Sequence, residues 1–427
     1  MSIRQLILYA VCLTNFSLAA QTPSPASPSN AATLSLAQTL ETAQQNAASK
    51  MAQQDLAAAN ADVLAADRAP LPTFSAKAAS SDANSGNTGS NLPLGNAARK
   101  TDKSWGLDWT FERGGKRAHR TEAAQLNAQA AQADLAETQI QQQMLAKDLF
   151  FDLLTSQEKS QHFKAIAVAA EATASSAKLR HRAGDLSAQD MMRVEIESER
   201  ALADYRKSWV DEKRASYALA QNLGMRKDQP LVAASDWPQV SNLPLAQSHA
   251  LDAWITARPD VRALQLRAQA AQALLENAKA LGKIDPTIGL SVDNNPGSNK
   301  RLTELRVQFP LQTNSTYDGE IGRATAQYFQ AQTQLDQVKL NAETEWHSMR
   351  EAYTAAVTRH QIFVQEILPR AQKVAAQAEL AYAKGAIPLV DLLDARRTLK
   401  TSLLEALDVQ AEHAKSAIAL QLRAPKS

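Results

Sequence analysis

Trp105-Gly106-Leu107-Asp108-Trp109-Thr110-Phe111 sets an apolar residue at every second position, and from Arg117 to about Arg182 nothing then breaks helical periodicity. Period two puts Trp105, Leu107, Trp109 and Phe111 on one face of a strand. The helix that follows, at 1.5 Å per residue, would be roughly 100 Å long, more than a small globular domain can hold. A one-sided strand joined to a rod sets the fold class as mainly α with a small β part. The composition agrees: of 427 residues 44% are apolar but only 5% aromatic, with 14 glycines. This suits long helices better than an α/β enzyme.

The same units appear on either side of that stretch. The rod stops at Ala183-Gly184-Asp185-Leu186-Ser187, where Gly184 suits the left-handed position after a helix and Ser187 can cap the next one, with Asp190 in its first turn. That second helix runs to about Leu223, with Leu202, Tyr205 and Trp209 among its packing residues. Upstream, residues 34–67 read as a helix ended by Pro70 and Pro72, then a strand from Thr73 to Ala79 and a polar loop, residues 80–103. The order then returns. A helix from Pro259 to Leu281 precedes a strand with Ile288, Leu290 and Val292, a turn over residues 293–300, and a strand with Leu305, Val307 and Phe309. A very long helix over 318–384 and a last helix over 388–422 complete it. Gly184 to Asp190 falls on Gly385 to Asp391, so the chain is a tandem duplication of helix, strand, strand, long helix, helix. The expected division is 34–224 and 249–423, with a proline-bearing linker at 225–248. Pro369 lies inside the last long helix, where a missing backbone donor predicts a kink.

At the start, Arg4, the apolar run from Leu6 to Leu13 and Ser17-Leu18-Ala19 have the order of a secretory signal covering residues 1–19. A Pro/Ser-rich segment, 20–33, follows. Cys12, the sole cysteine, sits inside the signal, and Val11 before it departs from a lipidation motif. No disulfide framework is expected. Lys and Arg number 46 against 44 Asp and Glu, so charge gives no support for nucleic-acid binding. No apolar run after residue 20 is long enough for a membrane helix. The seven histidines are scattered without metal-ligand spacing, and no nucleophile triad, phosphate loop or catalytic carboxylate pair is evident. Neither a cofactor nor an enzymatic activity is therefore expected.

Each strand reaches the roughly 9 to 11 residues that cross a bilayer as a tilted β-strand, with its apolar side toward lipid. Four strands cannot close a barrel, and an open edge in lipid leaves backbone groups unsatisfied, so several chains would have to share one. Trp105 and Trp109 then become interfacial anchors. A soluble coiled-coil protein with two β-hairpins, or a periplasmic scaffold or adaptor, is the competing reading. An adaptor would be expected to carry one helical hairpin flanked by compact β domains.

Four stretches in this order carry a family resemblance: Gly114-Gly115-Lys116-Arg117, Arg258-Pro259-Asp260-Val261, Gly319 to Ala324, and Tyr382 to Ala395. On these the chain resembles the TolC-like outer membrane efflux proteins, most of all the outer membrane components of cobalt-zinc-cadmium efflux systems. The resemblance implies a homotrimer in the outer membrane of a Gram-negative bacterium, with a shared β-barrel continued by a long periplasmic α-helical barrel. It implies an exit duct that passively conducts substrate, in particular heavy-metal cations. Its partners would be a periplasmic adaptor and an inner-membrane pump of the resistance-nodulation-division type. Drugs or other organic compounds are the alternative cargo.

It also implies roles for residues at the helical tips. Asp391 and Asp394 lie three apart on one face of the last helix; the helix dipole alone favours acids there, but the resemblance places them in a cation-sensitive constriction. Tyr382 and Asp190 match positions that link neighbouring coils at a closed tip, while Ile387 stands where some relatives carry a second, basic link. The turns Gly184-Asp185-Leu186 and Gly385-Ala386-Ile387 match the adaptor contacts, with Leu186 and Ile387 expected to be exposed.

Overall fold

A computed structural model describes residues 32–81, 100–225, 230–234, 237, 251–295, 300–311 and 316–423. The expected signal with Cys12, nearly all of segment 20–33, most of the linker 225–248 and the centres of the two strand-connecting loops lie outside the described residues.

The first half runs β1 (Ala32–Leu34), α1 (Leu36–Ala43), α2 (Ala47–Ala66), β2 (Thr73–Ser81), β3 (Lys100–Thr110), α3 (Lys116–Arg182) and α4 (Ala188–Asn222). The second runs β4 (Leu231–Ala233), α5 (Leu251–Ala257), α6 (Pro259–Ala280), β5 (Thr287–Asn295), β6 (Lys300–Gln308), α7 (Asp318–His360), a π-helical turn (Gln361–Ile367), α8 (Leu368–Ala383) and α9 (Leu389–Arg423). The 67-residue α3 is the expected rod, roughly 100 Å long.

Four expectations need correction. Residues 34–67 are two helices: the first ends at Ala43, and Asn46 caps the second, its side chain accepting from Ser49 N at 3.1 Å while its amide donates to Gln142 at 2.7 Å and to the Asn222 carbonyl at 3.3 Å. Phe111 lies just beyond β3, held by its N–H to the Pro286 carbonyl at 2.9 Å. The helix over 318–384 is interrupted by the π-helical turn just before Pro369. Proline cannot donate to the carbonyl four residues back and its ring crowds it, so the ladder is rearranged upstream of the ring. Finally, strand pairing reaches into the segment read as Pro/Ser-rich and the segment read as linker: β1 and β4 form a short parallel pair, Ala32 to Leu231 through Leu34 to Ala233.

The other strands form one antiparallel sheet in the order β2-β3-β5-β6. Its central seam joins the two halves, with Leu107 opposite Leu290 and Trp109 opposite Ile288. Strands β2 and β6 are its open edges, so the described chain holds no closed barrel. At the corner where the sheet meets the helices, Gly114 and Gly115 both take φ of 76°, a left-handed conformation that other residues adopt at a cost. Across the same corner Lys116 donates to Asp285 and to the Lys283 carbonyl, each at 2.7 Å, and Arg113 N donates to Asp285 at 2.8 Å.

From that corner α3 runs against α2, α6, α4 and α9. Alanine makes the close approach possible, as where Ala123 meets Ala270 and Ala273. The main core lies partway along α3, where Phe150, Phe151, Leu153 and Leu154 pack with Leu219 and Ala220 of α4, with β1 and β4, and with Ala414 and Ile418 of α9. Each such large side chain contributes about 1.5–3 kcal/mol of burial. A second core forms around Trp254, Val261, Trp346 and Tyr353.

Candidate functional site

Two parts of the molecule have features that packing alone does not explain: the sheet and the opposite helical tips.

Strand register sorts the sheet into two faces. Phe74, Leu107, Leu290 and Leu305 form one cross-strand row, Trp105 and Val292 lie in the next, and Trp109, Ile288 and Val307 in the row on the other side. All of these side chains are exposed, Trp105 at 53% and Leu305 at 72%. Phe74 stacks on Trp105 at 5.9 Å and Trp109 on Phe111 at 5.4 Å. The reverse face carries Ser75, Gly106, Asp108, Ser291, Glu304 and Arg306, with Leu302 as its apolar exception. There Arg306 donates to Asp108 at 2.6 Å across Gly289, where a Cβ would collide with the Asp108 carboxylate. An exposed apolar face backed by a polar one inverts the arrangement of a water-soluble sheet, which turns its apolar side to a core. It is the arrangement of a barrel wall with lipid outside and water inside.

At the tips the two hairpin turns are built alike. Gly184 (φ 84°) and Gly385 (φ 71°) each follow a helix. Gly184 N bonds to the His181 carbonyl and Asp185 N to the Arg180 carbonyl; Gly385 N and Ala386 N repeat this with Tyr382 and Ala381. This double bond pattern satisfies the last carbonyls of the helix and requires the left-handed residue that glycine supplies. Ser187 then caps α4, accepting from Asp190 N at 3.0 Å while its hydroxyl donates to the Asp190 carboxylate at 2.9 Å.

A small core ties the hairpins together: Ala174, Ala177 and Val194 of the first pack with Leu389 and Leu392 of the second, with Leu186, Tyr382 and Leu393 at its margin. Leu186 and Ile387 are half-buried, not exposed as expected, Leu186 because it packs at the margin of that core. Gly184, Asp185, Gly385 and Ala386 are exposed. Just above the core is a cavity of ≈ 160 Å³, lined by Ile166, Ala170, Val194, Leu393 and Leu403 among others.

The polar links between the hairpins are specific. Arg180 donates to the Tyr382 hydroxyl at 3.3 Å and sits 5.8 Å from its ring centroid. Arg396 reaches Thr173 and Glu379, each at 3.1 Å, and Lys400 pairs with Asp204. Within the chain Tyr382 and Asp190 are not brought together, since Asp190 is engaged by Ser187 and by Arg193 at 3.6 Å. Asp391 and Asp394 are exposed on the side of α9 away from Leu389 and Leu392, and neither has an ion pair among the described residues. Arg180 was not anticipated; its only signal in sequence was its place one helical turn before Gly184.

Residues 39–225 match the model of the outer membrane efflux protein family. That match runs from within α1 to just past the end of α4. The chain is also similar to the cobalt-zinc-cadmium resistance protein CzcC of Cupriavidus metallidurans, at 24% identity over 299 residues, 70% of this chain and 71% of that protein. Its fold is that of solved outer membrane proteins. The outer membrane protein VceC of Vibrio cholerae aligns at a TM-score of 0.74 and 18% identity, covering 91% of this chain and 95% of its own. CusC, whose structures describe transmembrane channel formation, aligns at 0.70 and 18%, covering 92% of both chains.

Also unanticipated was a buried charge chain beside the second core. Arg258, 5% exposed, binds Asp260 at 2.8 and 3.0 Å and Glu345 at 2.8 Å. Arg423 at the end of α9 binds the same Glu345 at 3.2 Å and Glu137 of α3 at 2.8 Å. Burial works against the Arg258 charge, but Asp260 and Glu345 outweigh it and raise its pKa above the ordinary guanidinium value. For Asp260 burial again opposes ionisation, and the Arg258 hydrogen bond and charge overcome it, leaving the pKa below the ordinary carboxylate value. The charge chain clamps α3, α6, α7 and α9 together, nearer along α3 to the sheet than to the tips.

Proposed function

We propose that three copies of this chain form an outer membrane channel, the exit duct of a tripartite efflux system. The two-faced sheet with two open edges carries the reading. In lipid those edges must be paired, and strands β2 and β6 of neighbouring copies are the available partners. The apolar rows then face acyl chains, the Asp108–Arg306 face lines a water-filled lumen, and the helices continue the wall through the periplasm. The exposed Gly184-Asp185 and Gly385-Ala386 turns become the docking points for a periplasmic adaptor, itself coupled to an inner-membrane pump of the resistance-nodulation-division type. The duct performs no chemistry on its cargo.

At its mouth, threefold symmetry brings the unpaired Asp391 and Asp394 carboxylates around one axis, a ring that attracts cations. Tyr382 and Asp190, each satisfied inside its own chain, are then within the set of groups that can exchange partners between copies as the tip opens. Heavy-metal cations are the proposed cargo, supported by the likeness to a cobalt-zinc-cadmium resistance protein. The division into two efflux repeats, 34–224 and 249–423, follows from the repeated element order.

The test is the state of the protein in the envelope. It should fractionate with outer membranes and run as a stable trimer in mild detergent. A monodisperse, detergent-free soluble monomer would refute the reading. For the cargo, deleting the gene should lower tolerance to cobalt, zinc or cadmium salts; unchanged metal tolerance with new sensitivity to organic compounds would move the cargo to the latter.

A further inference from the structure

Where α7 gives way to the π-helical turn, His360 stacks on His413 of α9, with ring centroids 4.7 Å apart and 28° between planes. His413 also stacks on Tyr353, about two turns back along α7, at 6.1 Å. The three rings form the last packed contact of α7 on α9. In the seven residues of the turn that follows no side chain is buried, and burial resumes only at Ala371 and Ala375 of α8. Pro369 removes a further backbone bond from this stretch. The helix is therefore weakest just beyond the histidine stack, and π-helical turns of this kind are common at functional sites.

The charges around the stack are already committed. On α7 and α9, Arg359 pairs with Glu412. Between the π-helical turn and α8, Glu366 pairs with Arg370 at 3.2 Å. Between α3 and α9, Lys159 pairs with Asp408 and Lys415 with Asp152. None of these carboxylates contacts either ring, so no anion stands ready to balance a protonated imidazole.

We propose that the His360–His413 stack is an acid-released latch: with both rings neutral it holds the end of α7 against α9, and when both bind protons they repel and free the π-helical turn to bend. Burial lowers the proton affinity of both histidines, and for His413 the neighbouring His360 lowers it further. The rings are thus neutral at neutral pH and charge only as the pH falls below the ordinary imidazole range. Release lets α8, which carries Tyr382, move relative to α7 while the tip core around Leu389 and Leu392 stays packed. The device is a property of the helices and is independent of the channel reading.

Hydrogen exchange on the purified full-length protein tests it. On moving from about pH 7.5 to about pH 5.5, exchange in residues 354–370, corrected for intrinsic rates, should accelerate at least about tenfold. The double variant His360→Phe with His413→Phe keeps stacked rings but cannot be protonated, and its exchange there should not respond to pH. Should that variant fold poorly, His413→Gln leaves one ring and no pair, and carries the same expectation. A wild-type segment indifferent to pH, or variants that accelerate as much as wild type, would overturn the latch.

Discussion

Replacing Arg258 by Met tests the buried charge chain with a worked magnitude. The side chain is 5% exposed, makes three close contacts to Asp260 and Glu345, and lies 4.9 Å from the Trp254 ring centroid. Methionine fills much of the volume and keeps contact with the ring, so the loss is mainly electrostatic. Removing one partner of a buried ion pair costs about 3–5 kcal/mol. Here the lower end applies, because Asp260 and Glu345 keep 22% and 33% side-chain exposure and Arg423 still pairs with Glu345 at 3.2 Å. The expected destabilisation near neutral pH is therefore about 3 kcal/mol, read as a shift in the guanidinium unfolding curve followed by tryptophan fluorescence. The pH dependence has a definite sign. The folded pKa of Asp260 is depressed below the ordinary carboxylate value, so its contribution is present above that value and is lost as pH falls through the folded pKa. The gap between wild type and variant should then narrow in acid. A loss below about 0.5 kcal/mol, or one independent of pH, would refute the reasoning.

Three other substitutions probe the sheet and the tips. Gly289→Ala should destabilise the folded sheet by about 1–3 kcal/mol, since its Cβ collides with the Asp108 carboxylate and forces the Arg306 pair apart; a lowered temperature of trimer dissociation on gels would register it. Asp391→Ala with Asp394→Ala should weaken both cation selectivity and block by multivalent cations in planar bilayers, while unchanged values would leave these acids as residues that merely suit a helix start. Tyr382→Phe and Arg180→Gln each remove the same bond between the hairpins, so both should raise single-channel conductance to a similar extent; an effect of one without the other would contradict the pairing.

Period-two patterning made β3, β5 and β6 legible, because a lipid-facing side must be apolar at every second residue whatever its neighbours do. The tip turns were legible for a similarly local reason: a left-handed glycine followed three residues later by a helix-starting residue, Ser187 in one turn and Pro388 in the other, is written into seven consecutive residues. What sequence reading missed depends on distant partners. Asn46, which caps α2, has its amide held by Gln142 and the Asn222 carbonyl. The β1–β4 pair joins segments about 200 residues apart, each too short to show a pattern. Pro369 announced a disturbance, but the rearranged turn lies upstream of it, where proline withdraws a donor. Arg258, Glu345, Arg423 and Glu137 each look like surface charges until four helices converge on them, and His360 and His413 look scattered until α7 meets α9. Leu186 looks exposed in sequence for the same reason, because its partners belong to other helices.

The most direct test of the central claim is which face of the sheet meets lipid. An environment-sensitive fluorophore on cysteine can be placed at Leu107, Leu290 or Leu305 on one face and at Ser75, Ser291 or Glu304 on the other, in protein reconstituted into bilayers containing lipid-borne quenchers. The account predicts blue-shifted, lipid-quenched emission at the three leucine positions and water-like, unquenched emission at the other three. Equal exposure of both faces to water, or quenching on the polar face alone, would contradict a lipid-embedded barrel wall.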